Sequence, residues 1–180
     1  MGIRNYLIEG VSGAGKTTVA DELQRRGHHV VHGDRELAYV GDPEMGEPLD
    51  GPAPEGVTDR LWWAYERWIW DVDKVKSLVA DQSYAQSFFC GGSRNSHRFI
   101  DLFDDVFVLD ADLDTLNRRV APRPEDEFGG KPEERALIAR VHATKEGLPK
   151  NAVSIDATAS VTRVVDRILS KSEEALASSK

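Results

Sequence analysis

The segment Gly10–Thr17 constrains the fold of this chain more than any other segment. Its sequence, Gly-Val-Ser-Gly-Ala-Gly-Lys-Thr, matches the pattern G-x-x-x-x-G-K-[ST] of a phosphate-binding loop, or P-loop. The apolar run Tyr6-Leu7-Ile8 stands directly before it, and a helical pattern over residues 16–26 follows it. This strand–loop–helix order is the structural context that the motif requires.

Each residue type in the loop has a physical purpose. Glycines let the backbone curl so that its N–H groups point towards anionic phosphate oxygens, and the N-terminus of the following helix favours the same negative charge. Lys16 is expected to reach the β- and γ-phosphates, and the Thr17 hydroxyl to ligate Mg²⁺. The residues expected to bind the nucleotide here are Gly10, Ser12, Gly13, Ala14, Gly15, Lys16, Thr17 and Thr18.

Composition limits the classes of protein to which the chain can belong. Its 180 residues fit one domain, and a formal net charge of −8 argues against nucleic acid as a partner. The single cysteine, Cys90, excludes an intrachain disulfide and suits a reducing cytoplasm. The first strand begins within a few residues of the N-terminus, which predicts no signal peptide, and no apolar run is long enough to span a membrane.

Strand-like and helix-like segments alternate along the chain, which predicts an α/β fold with a parallel sheet. Two irregular segments, residues 41–57 and 121–132, interrupt the alternation and are too long for simple connections. The predicted strands are about Asn5–Glu9, His28–His32, Lys76–Asp81, Asp105–Leu109 and Ala152–Ile155. The predicted helices are about 16–26, 58–74, 95–103, 112–120, 133–146 and 160–176.

With these elements placed, the chain resembles the P-loop small-molecule kinases, the group of the adenylate, shikimate, gluconate and nucleoside kinases. The resemblance rests on chain length and on arginines near the second irregular segment, because the P-loop alone is shared by many NTPases. It implies a three-layer α/β/α fold with a five-stranded parallel sheet of order 2-3-1-4-5. It also implies one domain, 1–180, with a substrate-binding insertion at about 41–74 and a lid at about 121–132. ATP, Mg²⁺ and a small-molecule phosphoryl acceptor are implied as well, with the protein a monomer or a homodimer.

Two aspartates follow predicted strands and are therefore expected at the carboxyl edge of the sheet, where ligands bind in such folds. Asp34 follows the second strand, and by resemblance it would orient or deprotonate the acceptor hydroxyl. The alternative is a structural role in the turn Gly-Asp-Arg-Glu. Asp81, at the end of the third predicted strand, would hold Mg²⁺ through water, with Asp73 and Asp110 as alternatives.

Arginine suits charge that is spread over a transferring phosphoryl group, because it presents a fixed positive fork. Arg118, Arg119 and Arg123 lie at the entry to the predicted lid, and Pro122 is expected to end the helix that carries the first two. By resemblance, Arg119 and Arg123 are assigned to ATP and catalysis. The alternative is surface ion pairing with the acids at 125–127.

Four more residues are candidates for binding the substrate or the nucleotide. Arg94, in Gly-Gly-Ser-Arg-Asn, is expected to bind the substrate, and Arg35 is expected to do so beside Asp34. Ala157 and Thr158 are expected to lie beside adenine, although Thr158 also suits a helix N-cap.

The predicted insertion holds clues to the acceptor. All four tryptophans fall between Trp62 and Trp70, which is more than one buried helical stripe needs, so one indole, with Trp62 as the candidate, is expected to line the pocket. From Asp34 to Glu66 there are nine acids and only two bases, Arg35 and Arg60. This balance favours a neutral or cationic acceptor such as a nucleoside, sugar or amino sugar over a nucleoside monophosphate or shikimate-type acid. The alternative is that the acids are solvated loop charges.

Two other classes of P-loop protein remain in competition. A GTP-binding switch predicts an Asn-Lys-x-Asp motif after the fourth strand, where the chain has Leu-Asp-Ala-Asp at 109–112. A P-loop ATPase without an acceptor predicts a glutamate beside the strand-three acid, where the chain has Gln82. The sequence therefore favours a cytoplasmic small-molecule kinase.

Overall fold

The computed structural model describes residues 3–178 of the chain. A five-stranded, fully parallel sheet forms its centre, with strand order β2-β5-β1-β6-β7. These strands are β1 (Arg4–Gly10), β2 (His29–His32), β5 (Gln86–Cys90), β6 (Asp105–Asp110) and β7 (Val153–Asp156). If these five strands are numbered from one to five along the chain, their order across the sheet is 2-3-1-4-5. A separate antiparallel pair consists of β3 (Ala38–Val40) and β4 (Trp68–Trp70).

Helices lie on both faces of the sheet. They are α1 (Lys16–Arg25), α2 (Gly33–Glu36), α3 (Arg60–Glu66), α4 (Val72–Ala80), α5 (Leu113–Val120), α6 (Pro132–Thr144) and α7 (Val161–Ser178), with 3₁₀ turns at Ser96–Arg98 and Ile100–Leu102. Among the described residues, no helix combines the length and the apolarity needed to cross a bilayer.

Successive side chains of β1 point to opposite faces of the sheet, where they enter two different cores. Tyr6 and Ile8 enter a core shared with α1, α5, α6 and α7, whereas Leu7 enters a second core with Val75 of α4 and Phe99 after the first 3₁₀ turn. All of these side chains are buried. The predicted α/β class with a five-stranded parallel sheet is therefore confirmed, with helices packed on either side.

The third predicted strand is wrong. Residues 72–80 form α4, whose N-cap Asp71 accepts a hydrogen bond from the backbone N–H of Lys74 at 3.0 Å. The strand beside β1 is instead Gln86–Cys90, with Phe88 and Phe89 each fully buried in opposite cores. Leu78 and Val79 are apolar because they pack against the second core, not because they form a strand.

The long helix predicted at 58–74 is interrupted at Arg67, which is the C-cap of α3. The next three residues form β4, and contacts from a distant segment hold them extended. Asn95 accepts from the backbone N–H of Trp70 at 3.0 Å and donates to its carbonyl at 2.9 Å, and the Arg94 N–H donates to the Trp68 carbonyl at 2.9 Å. The helix predicted at 95–103 is likewise two 3₁₀ turns.

Candidate active site

The P-loop connects β1 to α1 with the backbone geometry that its glycines permit. Gly13 and Gly15 have φ values of 90° and 102°, in the left-handed region that side chains with a Cβ rarely adopt. The Lys16 ammonium donates to the carbonyl of Gly10 at 2.6 Å and lies within 3.4 Å of the carbonyl of Val11. Burial lowers the pKa of Lys16, while Asp34 and Glu9 oppose that shift by favouring its charged form.

Asp34 lies at the carboxyl end of β2, in the short helix α2, and its carboxylate reaches across to the end of β5. Its Oδ1 accepts from the Gly92 N–H at 3.1 Å and from the Trp68 indole N–H at 3.4 Å. A Cβ built on Gly91 would lie 2.8 Å from this oxygen, so the glycine makes the close approach possible. Asp34 is thus fixed beside the P-loop, as its position after a strand predicts.

Arg119 and Arg123 each donate hydrogen bonds to residues of the P-loop. Arg119 donates to the Ala157 carbonyl at 2.7 Å and lies 3.3 Å from the Ala14 carbonyl. Arg123 donates to Ser12 Oγ at 3.2 Å and to the Phe128 carbonyl at 2.6 Å. Helix α5 ends at Val120, before Pro122, as the sequence predicts.

A buried ion pair lies beneath the loop. Arg94 donates to Glu9 Oε1 at 2.6 Å, and their side chains are 9% and 1% exposed. Arg94 also donates to the Tyr65 hydroxyl and stacks on its ring at 4.6 Å, and that hydroxyl donates to the Glu146 carbonyl at 3.0 Å. Burial raises the pKa of Glu9 to about 7, although the charges of Arg94 and Lys16 lower it. The pair therefore joins the end of β1 to the insertion and to the segment after α6.

Two cavities flank the P-loop, and their linings differ. The arginine cavity, of about 560 Å³, is lined by P-loop residues, by Arg119 and Arg123, and by residues from Ala157 to Val164. The apolar cavity, of about 530 Å³, lies between α3 and β4 on one side and α6 on the other. Its lining consists of Gly10, Val11, Ser12, Lys16, Asp34, Val40, Leu61, Ala64, Tyr65, Trp68, Gly92, Arg94, Phe128, Leu137, Ile138, Val141 and Leu148. Lys16 and Asp34 line both cavities, so the two spaces meet at these side chains.

Most of the predicted site residues lie at one of these cavities. Residues 13–18, Arg119, Arg123 and Ala157 line the arginine cavity, while Gly10, Ser12 and Arg94 line the apolar one. Arg35, Trp62 and Thr158 line neither. Arg35 is exposed, the Trp62 ring packs under Arg140 at 3.5 Å, and Thr158 donates its backbone N–H to Asp156 at 2.9 Å.

The prediction that Asp81 holds Mg²⁺ is wrong, because the predicted strand that it ends is helix α4. Asp81 precedes β5, which runs parallel to β1, and so lies at the edge of the sheet opposite the P-loop. Its carboxylate accepts from the backbone N–H and the hydroxyl of Ser83. No acid ends β5, where the chain continues Cys90-Gly91-Gly92.

Two side chains at the arginine cavity suit a divalent cation that binds there along with a nucleotide. Thr17 offers a hydroxyl and Asp34 a carboxylate, which are hard oxygen ligands. Among the described residues there is no cluster of three or more His, Cys, Asp or Glu side chains that could hold a metal without a nucleotide. The Thr17 hydroxyl and the Asp34 carboxylate fit Mg²⁺, which takes one or two protein ligands and completes its shell with phosphates and water.

Sequence reasoning missed several residues of the site. Glu9 follows three apolar residues in a buried strand, and a charge in that position needs a buried partner, which is a signal that the sequence carries. Trp68, Phe128 and Leu137 carried no comparable local signal. One tryptophan does line a cavity, but it is Trp68 and not Trp62.

The family model described as an AAA domain matches residues 7–140. The chain belongs to the AAA domain family. The matched part of this AAA domain includes the P-loop, Asp34, Arg94 and both lid arginines. No curated protein sequence matches the chain.

Solved structures with the same fold include several small-molecule kinases. A shikimate kinase from Bacteroides thetaiotaomicron matches with a TM-score of 0.63 and 14% identity over 96% of this chain and 99% of that chain. A sugar kinase from Janibacter sp. HTCC2649 matches at 0.54 and 20% identity, covering 94% of each chain. A deoxyadenosine kinase from M. mycoides matches at 0.54 and 15%, covering 94% and 99%. The resemblance to the P-loop small-molecule kinases is thus confirmed for the fold.

Proposed function

We propose that the protein is a small-molecule kinase that transfers the γ-phosphoryl group of ATP to a hydroxyl group. The observation that carries this proposal is the meeting of two cavities at Lys16 and Asp34. An ATPase or a switch needs one nucleotide site, whereas phosphoryl transfer needs a second site that opens onto the reacting phosphate. The fold shared with sugar, shikimate and deoxyadenosine kinases supports the same assignment.

In this proposal the arginine cavity holds ATP. The P-loop N–H groups and Lys16 bind the phosphates, Arg119 and Arg123 neutralise charge on them, and adenine lies beside Ala157. Thr17 and Asp34 would hold Mg²⁺, which would supply positive charge against the phosphates. Residues 121–132 serve as the lid and 41–74 as the substrate-binding insertion of the single domain.

The acceptor lies in the apolar cavity with its hydroxyl at Asp34. As the new O–P bond forms, the bond from the γ-phosphorus to the β–γ bridging oxygen breaks, and ADP leaves. The hydroxyl proton passes to the Asp34 carboxylate and from there to solvent. Asp34 also orients the hydroxyl, which matters more than basicity because phosphoryl transfer depends mainly on positioning.

The charges at the site favour a neutral acceptor that has no phosphate. Arg94 is the one arginine of the apolar cavity, and Glu9 already neutralises it. Of the nine acids between Asp34 and Glu66, only Asp34 lines the apolar cavity. The other eight lie outside this cavity, so they do not support a cationic acceptor.

The test compares Asp34→Asn with Asp73→Asn, since Asp73 lines neither cavity. ADP formation from MgATP is measured with and without nucleosides, sugars, aminoglycosides and other hydroxyl compounds. We expect acceptor-dependent ADP formation that falls about 10²- to 10⁴-fold in Asp34→Asn, the range for a positioned acid or base, and is unchanged in Asp73→Asn. Acceptor-independent hydrolysis at a substantial rate, unaffected by Asp34→Asn, would favour the ATPase alternative.

A further inference from the structure

Three polar side chains, Ser12, Lys16 and Asp34, lie at the P-loop end of the apolar cavity, and Lys16 and Asp34 also line the arginine cavity. Away from that end the lining comes from α3 and β4 on one side and from α6 on the other, with Leu61 and Trp68 opposite Leu137 and Val141. A ligand here meets hydrogen-bonding groups near the phosphate and aliphatic or aromatic groups elsewhere.

The other polar side chains of the cavity already have partners. Arg94 is bonded to Glu9 and to the Tyr65 hydroxyl, and that hydroxyl donates to the Glu146 carbonyl. The indole N–H of Trp68 lies 3.4 Å from Asp34 Oδ1. Glu9 and Tyr65 take two of the donors of Arg94, and its side chain is only 9% exposed, so it offers little to several ligand hydroxyls.

Large apolar groups are exposed at this cavity. Trp68 and Phe128 are 36% and 41% exposed, and both line it. Phe128 belongs to the segment between α5 and α6, whereas Trp68 belongs to β4, so two unrelated segments bring exposed rings to one place. Exposed apolar groups that converge in a concave site are typical of ligand binding.

We infer, on the basis of the proposed kinase function, that the acceptor is an uncharged alcohol with a largely apolar body and few other polar groups. Every hydroxyl of a sugar or amino sugar that loses water against this lining without a partner costs about 1–3 kcal/mol. An apolar body instead gains about 25 cal/mol for each Å² that it buries. A cavity of about 530 Å³ accommodates such a molecule whole, with its hydroxyl at Asp34.

The experiment uses the full chain and a panel of named alcohols. Arylalkanols (2-phenylethanol, 4-phenylbutan-1-ol and cinnamyl alcohol) are compared with glucose, glucosamine and adenosine as acceptors from MgATP. We expect kcat/KM for the best arylalkanol to exceed that for every polar acceptor by about tenfold or more, which corresponds to one unpaired hydroxyl. A preference for glucose, glucosamine or adenosine would overturn the inference and leave the kinase assignment intact.

Two substitutions in the cavity, each with a matched control outside it, test whether the apolar lining determines the preference for the arylalkanols. Leu61→Gln and Leu137→Gln change the cavity lining, whereas Leu102→Gln and Leu49→Gln change the same residue type outside it. We expect kcat/KM for the arylalkanol to fall about tenfold or more in the first two, consistent with losing a buried apolar contact, and to stay unchanged in the controls. Circular dichroism and retained MgATP binding identify variants that fold. Equal effects in cavity and control variants would overturn the inference.

Calorimetric titration separates this inference from the proposed function. The same alcohols are titrated into protein saturated with a non-hydrolysable ATP analogue, where no transfer occurs. Binding of the arylalkanols and not of glucose or glucosamine supports the inference even if no acceptor is phosphorylated, in which case the kinase proposal alone fails. Binding of the sugars and not of the arylalkanols contradicts the inference whatever the turnover data show.

Discussion

The two cavities beside the P-loop differ in how the chain builds them. The arginine cavity is lined by consecutive P-loop residues at 13–18, by two arginines at and just after the end of α5, and by residues from Ala157 to Val164. Beyond the P-loop, the apolar cavity gathers single side chains from β3, α3, β4, the segment between α5 and α6, and α6. The first cavity is centred on a local motif, whereas most of the second exists only after distant segments pack. Variants should therefore affect the two sides differently.

The largest expected effect is at the ion pair that supports the apolar cavity. Arg94→Gln leaves the Glu9 carboxylate buried without its partner, which costs about 3–5 kcal/mol of unfolding free energy. Chemical denaturation measures this loss. Arg67→Gln is the control, because its pair with Glu66 is a surface pair at 3.9 Å and should cost less than about 1 kcal/mol.

The double variant Glu9→Gln/Arg94→Gln completes the cycle. It removes both charges, so we expect it to be more stable than Arg94→Gln alone. If the double variant is less stable than the unsubstituted protein by the sum of the two single losses, the two side chains act independently, and the ion pair does not support the cavity.

The next largest effect concerns the junction of the cavities. Lys16→Met removes a cation aimed at the transferring phosphoryl group, and we expect kcat to fall about 10²- to 10³-fold, the loss typical of removing one such donor. Lys150→Met, an exposed lysine outside both cavities, should leave kcat unchanged. Steady-state kinetics measure both, and an unaltered kcat in Lys16→Met would place the transfer elsewhere.

Arg119→Gln should affect the nucleotide side selectively. Arg119 lines only the arginine cavity, while its neighbour Arg118 is exposed and lines neither. We expect kcat/KM for ATP to fall about 10- to 100-fold, as for the loss of a charged hydrogen bond of about 1.5–3 kcal/mol, with KM for the acceptor unchanged. Arg118→Gln should match the unsubstituted protein. A rise in acceptor KM alone would reverse the assignment of the two cavities.

The smallest expected effect is the pH dependence of stability due to Glu9. Burial raises its pKa from 4.5 to about 7, so between these values the folded state binds more protons than the unfolded state. Stability should therefore be highest below pH 4.5 with respect to this group and fall as the pH rises to about 7. Denaturation at pH 5 and 7.5 should show a smaller change in Glu9→Gln than in the exposed control Glu125→Gln. Equal changes would exclude Glu9 as the source.

The difference between local motifs and contacts among distant segments explains which features the sequence could predict. The P-loop, Asp34 after β2 and the end of α5 before Pro122 depend on neighbours within a few residues, and the structure has them as predicted. The break at Arg67 depends on Asn95 and Arg94, which lie far along the chain, so the helix predicted at 58–74 placed Trp62 and not Trp68 at the site. The apolar stretch Leu78-Val79-Ala80 fits a strand and a helix packed on the core equally well. The strand prediction therefore placed Asp81 at the wrong edge of the sheet.

The central claim is that ATP and the acceptor occupy different cavities that meet at Lys16 and Asp34. A crystal structure with a non-hydrolysable ATP analogue, Mg²⁺ and the preferred acceptor tests it most directly, through the position of the adenine ring. The account predicts adenine beside Arg119 and Ala157, with the acceptor hydroxyl between Asp34 and the γ-phosphate. Adenine seated among Leu61, Trp68 and Val141 would contradict it.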